Sequence, residues 1–393
     1  MIHPCRFAPF ILCLLLGACA SDPPTLVRDF SVKTGYHVVG NQVLDKNEQP
    51  HIFHGVDRPT LEWSTSGENL SKGDFQTMAG WKANVVRIGL NQDFWLRTAS
   101  QKGYRQTVLQ TVEWAKQANL DVILDLHWSD RGDLTIKPDQ QAMADQNSLT
   151  FWKSVAETFI DDERVLFELY NEPKNISWDA WLNGGDVVDN YYDSSTKQAQ
   201  TVTFTAVGMQ QLYDTVRSTG AKNIVIAGGI GWAYDLSGVD THRIKGEDIM
   251  YATHPYDYGD KQPADWDRAW GYLTETDPVI VTEFGSTQCS TDDPTTYNQA
   301  LVDYADAHGA SWTAWAWYVN GCTFPSLIVD WTGTPSESGK VVKAALAGYA
   351  DGTRVVTTPV GGPRPDAGGA DVARADSRTI DTQTIEGLGG NDL

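Results

Sequence analysis

FELYNEP, residues 167–173, is an apolar, β-prone run that closes on an amide, a carboxylate and a proline. Desolvating an ionised carboxylate is costly unless it is paired, so Glu172 is either structurally paired or kept for chemistry. The run belongs to a longer segment, RVLFELYNEP (164–173), and seven others resemble it: HIFHGVD (51–57), NVVRIGL (84–90), DVILDLHW (121–128), NIVIAGG (223–229), IMYATHPY (249–256), PVIVTEFG (278–285) and ASWTAWAWYV (310–319). Between most of them the apolar residues take helical spacing, as at Phe151, Val155 and Phe159, or Leu212 and Val216. Near-continuous apolar strands alternating with helices predict a parallel sheet covered on its outer face. Eight such units predict an α/β fold, a single-domain (β/α)8 TIM barrel, with an open doubly wound sheet as the alternative.

Residues 34–351 hold this predicted fold. YHVVGNQVLDKNEQP (36–50) precedes the first strand as a small hairpin able to close the barrel floor. Beyond it, residues 352–393 are rich in Gly, Pro, Asp and Thr, with too few large apolar residues for a core, and read as a disordered tail. At the other end, Arg6, an apolar stretch from Phe7 to Leu16, and Leu16-Gly17-Ala18-Cys19 resemble a bacterial lipoprotein signal over residues 1–18, too short to span a bilayer permanently. Cys19 would then be the lipidated first residue of a tether, 19–33, with multiple acylation giving an anchor that one chain cannot. An ordinary signal peptide with an accidental Cys is the other reading.

Asp and Glu number 51 against 30 Lys and Arg, a formal charge of −21 that repels phosphate backbones and argues against nucleic acid as a partner. A neutral polysaccharide is indifferent to that field. Cys289 and Cys322 remain after the N-terminal cysteines; in an exported chain two thiols suggest a disulfide, and two free cysteines are the alternative. No CxxC or His-rich cluster suggests zinc.

In a TIM barrel, polar residues at the C-terminal ends of strands mark the chemistry. Here they recur as Arg87, Asp125 and His127, Asn171 and Glu172, His254 and Tyr256, Glu283, and then Trp315 and Trp317. Strand alternation puts Val281 with Glu283, His254 with Tyr256, Asp125 with His127, and Trp315 with Trp317 on shared faces, and it requires the strand to end or bulge at Asn171–Glu172. Two carboxylates, Glu172 and Glu283, suit glycoside hydrolysis, which needs one group to protonate the leaving oxygen and another to attack the anomeric carbon or activate water. Each Glu alone could instead be a salt-bridged strand end.

ELYNEP (168–173), VIVTEFG (279–285), the His-x-Tyr at 254–256, LDLHW (124–128), VVRIGL (85–90) and SWTAWAW (311–317) together resemble glycoside hydrolase family 5, the cellulase family of retaining (β/α)8 enzymes, over about residues 36–345. The resemblance implies Glu172 as acid/base and Glu283 as nucleophile. It also implies that Asn171 holds the sugar 2-hydroxyl and that Arg87 and Tyr256 hold Glu283 ionised and aimed. His127 and His254 would line the sugar site on the non-reducing side of cleavage, and Trp315 would stack beneath that sugar. Trp317 shares the expected inward parity of Trp315, so it is a second candidate platform or else barrel packing.

Further aromatics near strand ends, Trp63, Trp95, Trp128, Trp178, Trp181, Trp232 and Trp266, suit sugar stacking, although some must be packing. The resemblance then implies an endo-acting hydrolase of a β-1,4-linked polysaccharide, an endo-β-1,4-glucanase as the first expectation, with no cofactor and acting as a monomer; the N-terminal pattern places it outside the cytoplasm, lipid-anchored at the cell surface or outer membrane. β-Mannan, xyloglucan and a non-catalytic glycan-binding barrel are the alternatives. A metal-dependent hydrolase is disfavoured, because His51 and His54 are three apart and fall on opposite faces of a strand.

Overall fold

The structure, a computed structural model, describes residues 35–97, 103–132, 139–193, 198–287, 289 and 293–357. The lipoprotein-type signal, Cys19, the tether and all but the first residues of the expected tail lie outside them. The chain opens with a hairpin, β1 (His37–Val39) and β2 (Gln42–Leu44). The barrel strands are β3 (His54–Asp57), β4 (Val85–Asn91), β5 (Asp121–Trp128) and β6 (Val165–Glu168), then β9 (Val225–Gly228), β10 (Ile249–Thr253), β11 (Val279–Val281) and β12 (Ser311–Ala314). All eight pair in parallel and close on themselves, β12 meeting β3 through Trp312 and His54. Each lies inside one of the eight predicted runs except β4, which extends one residue past its run to Asn91.

Closure follows from alternation. Val85, Ile123, Leu166, Ile226, Met250, Ala252 and Ile280 point inward and fill the lower barrel around Phe53. Their neighbours Val86, Val122, Phe167, Tyr251 and Val281 point outward to the helices. Those helices include α1 (Lys72–Gly80) after β3, α2 (Gln92–Leu96) and α3 (Tyr104–Gln117) after β4, α4 (Gln146–Phe159) after β5, and α5 (Trp178–Asn183) and α6 (Met209–Ser218) after β6. The remainder are α7 (Pro263–Ala269), α8 (Pro294–Ala307) and α9 (Glu337–Asp351). α4 buries Phe151, Val155 and Phe159 as its spacing predicts, and starts on a capping box between Asp145 and Ser148. After β9 the described chain forms turns rather than a helix and covers the barrel with Leu236, Val239 and Ile244.

The opening hairpin closes the floor. Tyr36, Val38 and Val43 pack on the inward residues, the Tyr36 hydroxyl donates to Asp121 at 2.7 Å, and the Val38 N–H donates to Asp248 at 2.8 Å. One element has no counterpart in the sequence reading: a long antiparallel hairpin, β7 (Gly185–Asp193) and β8 (Gln198–Ala206), set between α5 and α6. Its polar, mostly exposed residues carry only a weak apolar alternation, with Val187, Phe204 and Ala206 as its buried anchors. At the other end of the domain, Gly352 takes φ 78° and terminates α9, and residues just beyond return to the body, Thr357 N–H donating to the Asp306 carbonyl at 2.8 Å.

Candidate active site

The buried cation at the centre is Arg87, whose odd parity on β4 turns it into the barrel above Val85. Its guanidinium binds Glu168 at 2.6 Å through Nε and Glu283 at 2.7 Å through Nη1. Through Nη2 it binds Asn171 at 2.6 Å and Asp125 at 3.0 Å, and Asp57 stands 3.7 Å from Nη1. A planar fork with five donors can serve so many oxygens at once; a lysine could not. Asp125 thus braces a cation, as its position one layer below His127 suggests.

β6 ends at Glu168, so Asn171 and Glu172 lie beyond the regular strand, where the Asn171 N–H still donates to Leu126 at 3.0 Å. Both residues therefore reach the same mouth without violating alternation. Glu283 lies two residues past the end of β11, its second oxygen accepting from the Tyr256 hydroxyl at 2.6 Å. Val281 faces the helices and Glu283 the mouth, so the expected shared face does not hold: the strand ends between them. His254 places Nδ1 2.9 Å from Glu172 and 3.7 Å from Glu283. One oxygen each of Glu172 and Glu283 lies, with a ring nitrogen of His254, within a set no wider than 4.8 Å.

Burial dominates the titration of the groups around Glu172. It raises the Glu172 carboxyl, against the pull of Lys261, His127 and Lys174. Burial likewise pushes the His254 ring down to about 3, so it is neutral. For His127 burial opposes charge but Asp125, 2.6 Å from Nδ1, outweighs it and lifts the ring to about 9. The Asn171 amide nitrogen opposes that: with its oxygen held by Arg87, its N–H points at His127 Nε2 from 3.3 Å and needs a lone pair there. We favour the neutral ring with its proton on Nδ1, because that form satisfies both contacts. Gly89 makes room for this ring, since a Cβ there would meet it at 3.1 Å.

Trp315 stacks parallel to His127 at 5.7 Å and keeps 9% of its surface exposed. Trp317 does not join it. β12 ends at Ala314, so alternation stops before either tryptophan, and Trp317 turns outward, fully buried, edge-on to Trp81 at 4.7 Å. Trp317 is core, not a sugar platform. Trp317→Phe is expected to lower stability by about 1–2 kcal/mol through lost packing volume while leaving KM unchanged; thermal melts and saturation kinetics check this, and a raised KM would return Trp317 to the site.

Trp95, Trp181 and Trp266 are also fully buried core, and Trp178 packs beside Trp181 at 5.0 Å. Trp63 and Trp128 remain partly exposed and lie 6.3 Å apart, with Trp63 edge-on to Tyr318 at 5.6 Å. Trp232 covers the Lys174 ammonium at 4.0 Å, next to the Asn171–Pro173 turn. Cys289 and Cys322 are joined by a disulfide, Cα atoms 5.0 Å apart, tying the loop after β11 to that after β12.

The sequence reading missed several residues at this centre. Glu168 sits inside FELYNEP itself, two places from inward-facing Leu166, and a charged residue at that parity was the available signal. Thr282 continues the inward face of Ile280 and donates to Glu168 at 2.7 Å. Gln140 donates to the second oxygen of Glu172, and Lys261 donates to the His254 carbonyl at 3.2 Å; both come from loops without a periodic pattern.

The cellulase profile of glycosyl hydrolase family 5 matches residues 44–321. Endoglucanase MaCel5A of Microbulbifer sp. (strain ALW1) is 24% identical over 71% of this chain, and the chain spans half that relative's length. A mannan endo-1,4-beta-mannosidase of Salipaludibacillus agaradhaerens is 23% identical over 76% of this chain and 87% of its own. Among solved structures, the beta-glucanase SdGluc5_26A of Saccharophagus degradans in complex with cellotetraose superposes with a TM-score of 0.63 at 24% identity, covering 85% of this chain and 99% of that one. That likeness supports the barrel, and the profile match over most of the folded unit decides the family: the chain belongs to glycoside hydrolase family 5.

Proposed function

We propose that this chain is a retaining endo-β-1,4-glucanase, a cellulase, in which Glu172 is the acid/base and Glu283 the nucleophile. The observation that carries the reading is the approach of the two carboxylates, with oxygens within 4.8 Å at the barrel mouth. Retaining enzymes hold the pair about 5–5.5 Å apart, whereas inverting ones need about 6.5–9.5 Å to seat a water between them.

In the first step Glu172, whose protonated form burial favours, gives its proton to the glycosidic oxygen as Glu283 attacks the anomeric carbon. In the second, Glu172 takes a proton from the water that releases the sugar. Arg87 and Tyr256 hold the two oxygens of Glu283, so the attacking carboxylate is aimed before substrate arrives. Asn171, fixed through its oxygen, offers an amide hydrogen to the sugar 2-hydroxyl, and His127 and His254 border the same sugar. Trp315 supports its face. The partly exposed Trp63 packs against the Trp315 cluster with Trp128 6.3 Å from it, aromatic surface that would serve further sugars of a chain, and the names of the endoglucanase relative and of the cellotetraose complex agree with a β-1,4-glucan. The N-terminal pattern ending at Cys19 supports export and lipid anchoring at the cell surface or outer membrane.

Reducing-end release and viscosity of the full chain on soluble β-1,4-glucan, β-mannan and xyloglucan test this. Glucan is expected to lose viscosity early, in proportion to internal cuts, and Glu172→Ala is expected to lose that activity. Hydrolysis of mannan or xyloglucan alone would move the substrate assignment, and binding without release from any of the three would overturn the catalytic reading.

A further inference from the structure

Below the two carboxylates a line of polar atoms runs from Glu168 to Glu172. The Thr282 hydroxyl donates to Glu168 Oε1 at 2.7 Å. His254 Nε2 is 2.9 Å from that hydroxyl oxygen, and His254 Nδ1 is 2.9 Å from Glu172 Oε1. Glu168, Thr282 and His254 are each fully buried, so their hydrogens must satisfy one another.

A hydroxyl has one proton to donate and a neutral imidazole has one N–H. If Thr282 gives its proton to the Glu168 carboxylate, its oxygen can only accept, so His254 must carry its proton on Nε2. Nδ1 then offers a lone pair to Glu172, which fits a protonated Glu172. If the other end of the line is protonated, every donor reverses and His254 donates from Nδ1 to a Glu172 carboxylate. Arg87 selects between the two patterns: its Nε holds Glu168 Oε2 at 2.6 Å and favours the carboxylate there.

We infer that Glu168, acting through Thr282, sets the tautomer of His254 and thereby keeps the acid proton on Glu172. Glu168 and Thr282 are positioning residues in this scheme, which rests on the assignment of Glu172 as acid/base. Once Glu172 has given up its proton, a carboxylate facing a nitrogen lone pair is driven to take one back from water, so one arrangement serves both halves of the cycle. Burial lowers His254 to about 3, which supplies the neutral ring the pattern needs. Burial also lifts Glu168 to about 7 against the pull of Arg87.

The charged neighbours of Glu168 are Arg87 on β4, Asp125 on β5 and Asp57 on β3, which feels it in turn. Those of Glu172 are Lys261 and Lys174, with the His127 ring beside them, and the Tyr258 and Tyr256 hydroxyls feel its charge and that of Glu283. None of these touches Thr282 in the described hydrogen bonds, so changing Thr282 alters the line without altering the charges around either end.

The test compares Glu168→Gln, Thr282→Val and Thr282→Ser with the parent full chain. Because Arg87 demands an acceptor, the new amide oxygen must face Arg87 and its NH2 must face Thr282, which reverses the line. Thr282→Val cuts it. Both are expected to move the His254 proton to Nδ1, read by 15N-imidazole NMR, and to lower the alkaline limb of the kcat/KM pH profile by about one unit, the size of one hydrogen bond to a charged acceptor. Thr282→Ser is expected to keep the parent tautomer and limb.

A parent tautomer and limb in Thr282→Val overturn the inference, as does a limb that moves equally in Thr282→Ser. So does a limb that moves in Glu168→Gln with the tautomer unchanged, since lost charge then explains it. If Glu168→Gln does not fold, the two Thr282 variants decide alone. A parent chain without glycosidase activity would sink the proposed function, while the NMR arm would still test the tautomer.

Discussion

Glu283→Ala is expected to cut polysaccharide hydrolysis by at least about 10^4-fold, in the range found for removal of a group central to covalent catalysis, with the folded state intact. The stereochemistry of rescue makes the outcome specific. The missing side chain leaves room beneath the sugar for a small anion such as azide. With an aryl glycoside whose leaving group needs no acid, azide attacks the anomeric carbon from the face Glu283 vacates and gives a glycosyl azide of inverted configuration. In Glu172→Ala, Glu283 still forms the covalent intermediate and azide replaces the water of the second step, so the product keeps its configuration. Chirality of the two azides, read by proton NMR, assigns both residues at once. Exchanged configurations would reverse the roles of Glu172 and Glu283, and inversion by the unmodified chain would replace retention with a single displacement.

Arg87→Met is expected to destabilise the fold by about 3–5 kcal/mol, the usual cost of stripping the partner from buried charges, and to remove most activity with it. Four carboxylates, Asp57, Asp125, Glu168 and Glu283, approach this one guanidinium to within 3.7 Å. The pH dependence carries the sign. Burial raises Asp57 and Glu168, and Arg87 is the strongest force pulling each back down; without it both rise further above their unfolded values. A carboxyl whose folded value is raised keeps its proton in the native state after the unfolded chain has lost it. Stability is then greatest at low pH and falls as pH rises through the folded value. For Glu168 that window runs from the ordinary 4.5 to about 7 in the parent, and it extends upward in the variant. Thermal melts at about pH 5 and pH 8 should show the larger deficit at pH 8; an equal deficit at both would mean that Arg87 acts through shape and not charge.

Most of this centre could be read along the chain because a TIM barrel turns position in sequence into position in space. Once eight apolar runs were recognised, their C-terminal ends had to converge, and Arg87, His127, Asn171, Glu172, His254, Tyr256, Glu283 and Trp315 do meet there. Alternation worked wherever the residue lay on or next to a regular strand, as for Arg87, Asp125 and His127. It failed where the strand had already ended. Trp317, three residues past β12, turned into the outer core, and Glu283 stopped sharing a face with Val281.

The residues hidden from sequence fall into two kinds. Gln140 and Lys261 come from irregular loops, where no period predicts direction. Glu168 was in plain view, but its significance depends on Arg87 and Thr282, 81 and 114 residues away in the chain. By itself, then, the sequence determined the barrel, the ring of strand-end polar groups and the candidate carboxylate pair, since these follow from local periodicity and a closed topology. Only the tertiary structure decided the distance between Glu172 and Glu283, the partners that satisfy each buried proton, and which tryptophan faces the sugar. Distances and hydrogen-bond partners are relations between segments far apart in the chain, and packing sets them only when the barrel closes.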